Sequence, residues 1–187
     1  MATRALCGGP HYGRMQSRYV SGLTIRPLSS GDTATVEALF ARLGADSRTR
    51  RFCGAKPRLS EAELAQLARV DATHHVLVAY VDGQSRPAGI ARLVRDGPTA
   101  EIAFEVADEH QGRGIGSVLA RELAADARAA GVEELVATVC GDNAPAVSLL
   151  RRVAHSLDVR WHGGEREFVL SLVEPYGASR HAPFGVS

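Results

Sequence analysis

Residues 111–117 read Gln-Gly-Arg-Gly-Ile-Gly-Ser and lie between a predicted strand and a predicted helix that starts at Ile115. Gly112, Gly114 and Gly116 allow the backbone to turn sharply and to approach a ligand closely. The amide groups of such a turn point outward at a helix N-terminus, where the peptide dipoles leave about half a positive elementary charge. We therefore expect the turn to bind an anion, and a pyrophosphate group is the natural occupant.

Two common phosphate motifs do not fit this segment. A P-loop requires the pattern GxxxxGK[ST], and the only lysine of the chain is Lys56. A dinucleotide fingerprint, GxGxxG, requires glycine where this chain has Ser117. The strand before such a fingerprint should also open a strand–helix–strand unit, whereas the strand before this turn belongs to a predicted meander. A tight turn that binds no ligand is the structural alternative.

The apolar pattern around the turn predicts an α/β (α+β) domain in the order β-α-α-β-β-β-α-β-α-β-β. Tight turns join three consecutive strands into an antiparallel meander, and a later strand–helix–strand unit implies a parallel pair. We expect a mixed, mostly antiparallel sheet of about seven strands flanked by helices. The predicted strands cover residues 23–28, 76–81, 87–94, 99–107, 133–140, 157–161 and 165–172, and the helices cover 32–43, 60–70, 115–130 and 143–154.

The chain has 187 residues, the usual size of one domain. We expect a disordered, weakly basic arm over residues 1–21, the domain over 22–174 and a loose tail over 175–187. Residues 45–57 are predicted to be an arginine-rich connection. The three cysteines are far apart and lack a CxxC spacing, so neither a disulfide framework nor a zinc site is expected. These are Cys7, Cys53 and Cys140, and the last is interpreted as a buried thiol.

The bulk properties exclude several classes of partner. A formal net charge of +1 argues against a dedicated nucleic-acid binder. The longest apolar run, residues 76–81, has the length of a strand, and about 18 residues are needed to span a bilayer. The N-terminus shows no apolar signal-peptide core. We expect a cytoplasmic protein without a membrane partner, either a monomer or a homodimer.

Gln111, Gly114 and Gly116 match the pattern Q/R-x-x-G-x-G/A, and here the chain resembles the GNAT superfamily of N-acetyltransferases. The resemblance extends over about residues 23–172 and includes the order of elements. Within the superfamily the chain is similar to the acetyltransferase domain of bacterial protein-lysine acetyltransferases. The segments that carry this similarity are Ile25–Pro27, Asp46–Arg48, Arg51–Phe52, Leu59–Ser60 and Ala100–Phe104.

The resemblance implies acetyl-CoA as co-substrate, bound in a V-shaped opening between the strands at 99–107 and 133–140. The pantetheine arm would pair with backbone near Phe104, and the pyrophosphate would lie on the glycine turn. Asn143 would contact the arm, although its simpler role is to cap a helix. The implied cofactor-binding residues are Phe104, Glu105, Val106, Gln111, Gly112, Arg113, Gly114, Ile115, Gly116, Ser117 and Asn143, and no metal is implied.

The resemblance also implies that Glu101 acts as general base on an amine acceptor. Glu101 and Glu105 alternate with small alanines on one strand face, which we expect to be half-buried, and Glu105 is the reserve candidate. Both could instead lie on a solvated sheet face. The backbone amide of Phe104 or Glu105 is the candidate donor to the oxyanion.

The expected activity is transfer of an acetyl group to a primary amine, a protein lysine side chain being favoured. An enzyme for small amines and a catalytically silent acyl-CoA sensor are the alternatives. Many superfamily members carry a tyrosine where this chain has Leu150, so no general acid is assigned. Arg48, Arg50 and Arg51 could contact an acidic substrate or the 3′-phosphate of CoA, or form a solvated charge run.

Overall fold

The computed structural model describes residues 17–20, 22–162 and 165–173. These described residues form eight strands: β1 Arg18–Val20, β2 Leu23–Pro27, β3 His74–Val81, β4 Gly89–Asp96, β5 Thr99–Val106, β6 Glu134–Val139, β7 Ser156–His162 and β8 Glu165–Ser171. Five α-helices accompany them: α1 Thr33–Phe40, α2 Ala45–Phe52, α3 Glu61–Leu67, α4 Ile115–Ala129 and α5 Ala144–Leu150. No helix within these described ranges is long and apolar enough to cross a membrane.

All eight strands form one sheet in the order β1-β2-β3-β4-β5-β6-β8-β7. Every neighbouring pair is antiparallel except β5 and β6, which are parallel. The predicted mixed, mostly antiparallel sheet with flanking helices is therefore confirmed, with eight strands instead of about seven.

Strands β5 and β6 separate after a short stretch of pairing. They pair only where Thr99, Ala100 and Glu101 lie beside Glu134, Leu135 and Val136. Beyond this point β6 stays paired with β8 up to Val139, and β5 stays paired with β4 up to Val106. The two halves of the sheet consequently diverge, and a gap opens between them.

Apolar side chains cover the two faces of the sheet as separate clusters. The larger cluster packs α4 and α5 on one face and includes Leu119, Leu123 and Leu135. The smaller cluster packs α1 and α3 on the other face and includes Leu39 and Ile90. The alternation of side chains along β3 and β4 supplies both layers, because successive residues point to opposite faces.

Two helix starts follow the local sequence as predicted. Asp32 caps α1 by accepting a hydrogen bond from the Thr35 amide. Ser60 and Glu63 form a reciprocal capping box at α3. The Lys56 ammonium and the hydrogen bonds from Ser60 lower the pKa of Glu63 to about 2.

Helix α2 replaces most of the predicted arginine-rich connection. None of its residues is buried, so no apolar periodicity marked it in the sequence. Polar contacts hold it instead: the Gly44 amide donates to Asp108, and Arg48 donates to backbone carbonyls of Phe40 and Pro57.

The prediction of a disordered arm is wrong for residues 18–20, which form β1 beside β2. Arg18 fixes this strand to α4 through ion pairs with Glu122 at 2.5 Å and Asp126 at 2.6 Å. Asp126 also contacts the buried His75 ring at 3.0 Å. Residues 1–16 and 21 of the arm, and the predicted tail at 175–187, lie outside the described residues.

Cys53 and Cys140 are joined by a disulfide bond, with a Cα–Cα distance of 5.4 Å. The expectation of unpaired cysteines, with Cys140 as a buried thiol, is wrong. The bond links the C-terminal cap of α2 to the residue that follows β6, although the two cysteines are 87 positions apart. Cys53 has φ 55°, a left-handed conformation that is uncommon for a residue with a side chain.

Candidate active site

The gap between β5 and β6 forms a cleft of about 760 Å³. Strand β5 and the 111–117 turn form one wall, and the end of β6 with α5 forms the opposite wall. The C-terminal half of α2 lies over the cleft and contributes Arg50, Arg51, Phe52 and Cys53 to its lining. Backbone from two separated strands therefore faces the same cavity.

The hydrogen bonds of β5 show which of its residues face the gap. The Ala107 amide donates to the Ala88 carbonyl on the β4 side, and the Glu105 carbonyl also points to this side, toward Gly89. Adjacent residues of a strand direct their backbone groups to opposite sides. The N–H and C=O groups of Phe104 and Val106 therefore point into the cleft, and the Val106 carbonyl accepts from the Gln111 side chain at 3.1 Å.

The glycine turn has the backbone that its sequence predicts. Gly112 has φ 73° and Gly114 has φ 83°, values that residues with a Cβ rarely adopt. Gly114 is the N-cap of α4 and has no side chain that could cap the helix. Its carbonyl accepts a hydrogen bond from the Val118 amide. The amides of the first turn of α4 are therefore open to a ligand, at the positive end of a helix of 15 residues.

Other residues of the turn fix its position. The side-chain amide of Gln111 donates to Ser47, Val106 and Asp108 at 3.0–3.1 Å and so ties the turn to α2 and β5. A Cβ at Gly116 would lie 3.7 Å from both Leu149 and Val106, which shows how closely α4 passes between α5 and β5.

Nearly all the residues predicted from the sequence to bind the cofactor line the cleft. Arg113 is the exception, since its side chain faces an adjacent groove. Arg121 and Arg152 line the same groove, and Arg152 lies 3.3 Å from the Ser117 hydroxyl. Sequence reasoning missed these two arginines, because one lies on α4 and the other just beyond α5.

Glu101 lines the cleft, but the expected half-burial of this residue is wrong. Its side chain is exposed, and so is that of Val94, its partner on β4. The apolar helices α1 and α3 cover β5 only nearer its C-terminal end, where Ala107 packs in their cluster. Glu101 is accordingly an accessible carboxylate at the point where β5 and β6 begin to separate.

Glu105 differs from Glu101 although both lie on one face of β5. It is buried, and its carboxylate accepts from Arg92 at 2.6 Å and from Arg51 at 2.7 Å. Burial alone would raise the pKa of Glu105, but the two guanidinium groups outweigh burial and lower it. A carboxylate held ionised by two cations is a poor proton acceptor, which disfavours the reserve role expected for Glu105.

Asn143 and Leu150 occupy opposite ends of α5. The Asn143 side chain accepts from the Ala146 amide at 3.2 Å, so the residue caps the helix while it also lines the cleft. Leu150 is buried at 2% exposure in the larger apolar cluster. The position at which many superfamily members carry a tyrosine therefore supplies no hydroxyl group in this protein.

The disulfide lies beside the cleft, and its Cys53 lines it. The Glu165 carboxylate lies within 4.8 Å of both sulfur atoms. A metal ion would require thiolates, and sulfur atoms bonded to each other do not provide them. The expectation that no metal is involved stays a prediction.

Sequence comparison relates the chain to known acetyltransferases. The model of the acetyltransferase (GNAT) family matches residues 42–155. Acetyltransferase Pat of Mycolicibacterium smegmatis is 32% identical over 154 residues, which are 80% of this chain and 45% of the relative. An acetyltransferase of Pseudomonas aeruginosa is 33% identical over 116 residues, 59% of this chain and 62% of the relative. The chain thus spans less than two thirds of each of these relatives.

Solved structures show the same fold. The GNAT domain of S. lividans PAT superposes with a TM-score of 0.73 at 25% identity, over 80% of this chain and 90% of that domain. An acetyltransferase-like protein of Salmonella typhimurium, solved with its cofactor acetyl-CoA, gives a TM-score of 0.61 at 23% identity, over 83% of this chain and 97% of that one. The prediction of an acetyltransferase is confirmed at the level of the family: this chain belongs to the acetyltransferase (GNAT) family.

Proposed function

We propose that the protein transfers the acetyl group of acetyl-CoA to the side-chain amine of a protein lysine, with Glu101 as general base. The observation that carries the proposal is the cleft itself. Cleft-facing backbone of β5, a helix N-terminus without a side-chain cap and an accessible carboxylate line the same cavity.

Two parts of the cleft match two parts of a CoA molecule, the diphosphate and the pantetheine arm. We assign the diphosphate to the amides of residues 112–117, because the N-terminus of α4 attracts negative charge. The pantetheine arm carries two amide groups, and the backbone groups of Phe104 and Val106 that face the gap can pair with them in the manner of an added strand. These placements support acetyl-CoA as the co-substrate.

The acceptor amine must lose a proton before it can attack the thioester. An alkylammonium group has a reference pKa near 10.4, so the neutral form costs about 4.6 kcal/mol at pH 7. Glu101 is three residues from Phe104, roughly 10 Å along the strand. The proton therefore passes from nitrogen to the Glu101 carboxylate through water, a route that the exposure of Glu101 allows.

The amine nitrogen then bonds to the thioester carbon, and the carbonyl oxygen becomes an oxyanion. The Phe104 amide is the donor assigned to this oxygen, because it faces the cleft while the Glu105 amide is directed to β4. Collapse of the intermediate breaks the C–S bond and releases the thiolate of CoA, and the nitrogen loses its second proton to water as the amide forms. Since Leu150 offers no proton, the thiolate takes its proton from solvent.

The lysine acceptor is supported by the relatives. Acetyltransferase Pat is 32% identical over 80% of this chain, and the GNAT domain of S. lividans PAT has the higher TM-score of the two solved structures described above. The segments quoted from residues 25–104 resemble those of protein-lysine acetyltransferases. A protein substrate also agrees with the open cleft, whose covering helix α2 has no buried residue.

The test is release of CoA thiol from acetyl-CoA across a panel of lysine peptides, polyamines and amino acids. Glu101→Gln is compared with Glu37→Gln, which replaces an exposed glutamate on α1 outside the cleft. We expect lysine peptides to be acetylated, and Glu101→Gln to lower kcat by a factor of about 100 or more while Glu37→Gln does not.

Equal rates for Glu101→Gln and the wild-type protein would remove Glu101 as the base. A clear preference for a free small amine would replace the lysine acceptor. The absence of turnover with every amine, together with tight CoA binding, would favour an acyl-CoA sensor, a function with which the apolar Leu150 is also compatible.

A further inference from the structure

Three charged side chains meet beneath the cleft, contributed by β4, β5 and α2. Arg92 and Arg51 both donate to the same Glu105 oxygen, Oε1, at 2.6 Å and 2.7 Å. The side chains of Arg92 and Glu105 are 8% and 4% exposed, whereas that of Arg51 is 22% exposed. The cluster therefore reaches from the protein interior to the cavity, and Arg51 is its accessible end.

The charges of this cluster do not balance. Two guanidinium groups share one carboxylate, which leaves a net charge of +1 in a largely dry environment. Burial lowers the pKa of Arg92, the Glu105 charge opposes this effect, and the neighbouring Arg51 charge adds to it. The Arg92 Nη2 atom is also buried without a hydrogen-bond partner among the described residues. An additional negative group near Arg51 would compensate this excess charge.

Arg51 has donors left for such a group. Within the described residues its hydrogen bond to Glu105 is made by Nε and neither Nη group makes one, while the residue itself lines the cavity. Arg50 also lines the cleft and is exposed. Arg48, by contrast, is engaged by the Phe40 and Pro57 carbonyls and stacks on the Phe40 ring at 4.3 Å. The helix thus presents two of its arginines to the cleft.

From this arrangement we infer that Arg51 and Arg50 bind a carboxylate of the acceptor, and that the acceptor lysine lies in an acidic peptide segment. The inference rests on the proposed function and specifies its substrate class. Guanidinium groups bind carboxylates through paired hydrogen bonds, and the fixed Nε of Arg51 orients the remaining donors. The same positive charge repels a polyamine, which brings additional ammonium groups into the cleft.

The position of the cluster relates the carboxylate to the reacting amine. Glu105 follows Phe104, whose amide is assigned to the oxyanion, so Arg51 lies next to the site of attack. An aspartate or glutamate that flanks the lysine can reach Arg51 while the lysine side chain enters the gap. A negative group many residues from the lysine would not reach Arg51 and would not contribute to binding.

The experiment uses two peptides of identical sequence, one with a glutamate on each side of a single lysine and the other with glutamine. The wild-type protein should acetylate the acidic peptide with a kcat/KM at least tenfold higher, chiefly through a lower KM. The ratio should fall toward one in Arg51→Gln and in Arg50→Gln, and it should decrease with added salt. Arg58→Gln, which changes an exposed arginine outside the cleft, should keep the wild-type ratio.

Each outcome supports or overturns the inference. Arg51→Gln disturbs a buried ion pair, so if it does not fold, the Arg50→Gln ratio decides. Equal kcat/KM values for the two peptides in the wild-type protein would overturn the inference and leave lysine acetylation intact. Preferred acetylation of a polyamine over both peptides would remove the lysine acceptor itself, and with it the inference that rests on it. If neither peptide is acetylated although CoA binds, the proposed function itself fails.

Discussion

Replacement of Gly114 by glutamate separates the structural role of the turn from its proposed role in binding CoA. Gly114 has φ 83°, and a Cβ built there meets no atom within 4 Å. The cost to the free protein is therefore that of a left-handed residue with a side chain, about 1–2 kcal/mol. For a domain of this size the melting temperature should fall by about 2–8 °C.

The effect on CoA binding should be larger than this strain explains. A glutamate carboxylate about 5 Å from a diphosphate with two negative charges is repelled by about 1.7 kcal/mol even at the dielectric constant of water. The side chain also occupies the space that the phosphates need. We expect the Kd for CoA, measured by titration calorimetry, to rise more than tenfold.

Gly83→Glu is the matched control. Gly83 lies in the turn between β3 and β4, has φ 75°, and likewise has no atom within 4 Å of a built Cβ. It lines neither the cleft nor the adjacent groove. This variant should lose similar stability and keep the CoA affinity of the wild-type protein. If both variants bind CoA equally well, the assignment of the diphosphate to the glycine turn is wrong.

Three further predictions concern stability. Reduction of the Cys53–Cys140 bond should lower the free energy of unfolding by up to about 4–5 kcal/mol, because the bond closes a loop of 87 positions; denaturation with and without a phosphine reductant measures this, and an unshifted midpoint contradicts it. Glu105→Gln should destabilise by about 3–5 kcal/mol at pH 7, since the buried Arg92 and the partly exposed Arg51 lose their shared partner. The pKa of Glu105 is lowered in the folded protein, so its contribution to the free energy of unfolding is complete above pH 4.5, its ordinary pKa, and is lost as the pH falls through the folded pKa. A difference in unfolding free energy between the wild-type protein and Glu105→Gln that stays constant on acidification would refute this. Arg18→Met should lower the free energy of unfolding by about 1–2 kcal/mol, and Arg86→Met, which changes an exposed control residue, should leave it almost unchanged. Equal melting temperatures for the two variants would show that the contacts of Arg18 with α4 do not stabilise the protein.

The elements that the sequence predicted are those with local causes. The Ser60–Glu63 capping box and the glycine turn are each set by residues within a few positions of one another. The meander follows from short turns between β-rich segments. In contrast, α2 buries no residue and β1 has only three, so neither leaves an apolar pattern in the sequence.

The site was predicted only in part for a related reason. Strand alternation placed Glu101 and Glu105 on one face, but which of them is buried depends on distant elements. Glu105 meets Arg92 from 13 positions away and Arg51 from 54 positions away, and the pairing of Cys53 spans 87. Contacts between residues so far apart in the sequence depend on the tertiary fold, and no local motif predicts them.

Where β5 and β6 diverge, backbone groups without a strand partner lie inside the sheet, whereas such groups are normally found at its edges. At a rim such groups recruit strands of other chains and promote aggregation. Here a polypeptide strand bonded on both sides would need about 9.6 Å between β5 and β6, twice the usual spacing. The gap narrows to a single spacing at Glu101, so a foreign strand cannot run its length. The wedge shape thereby keeps a foreign strand from pairing along the whole gap, while its wide end stays open to a narrow molecule.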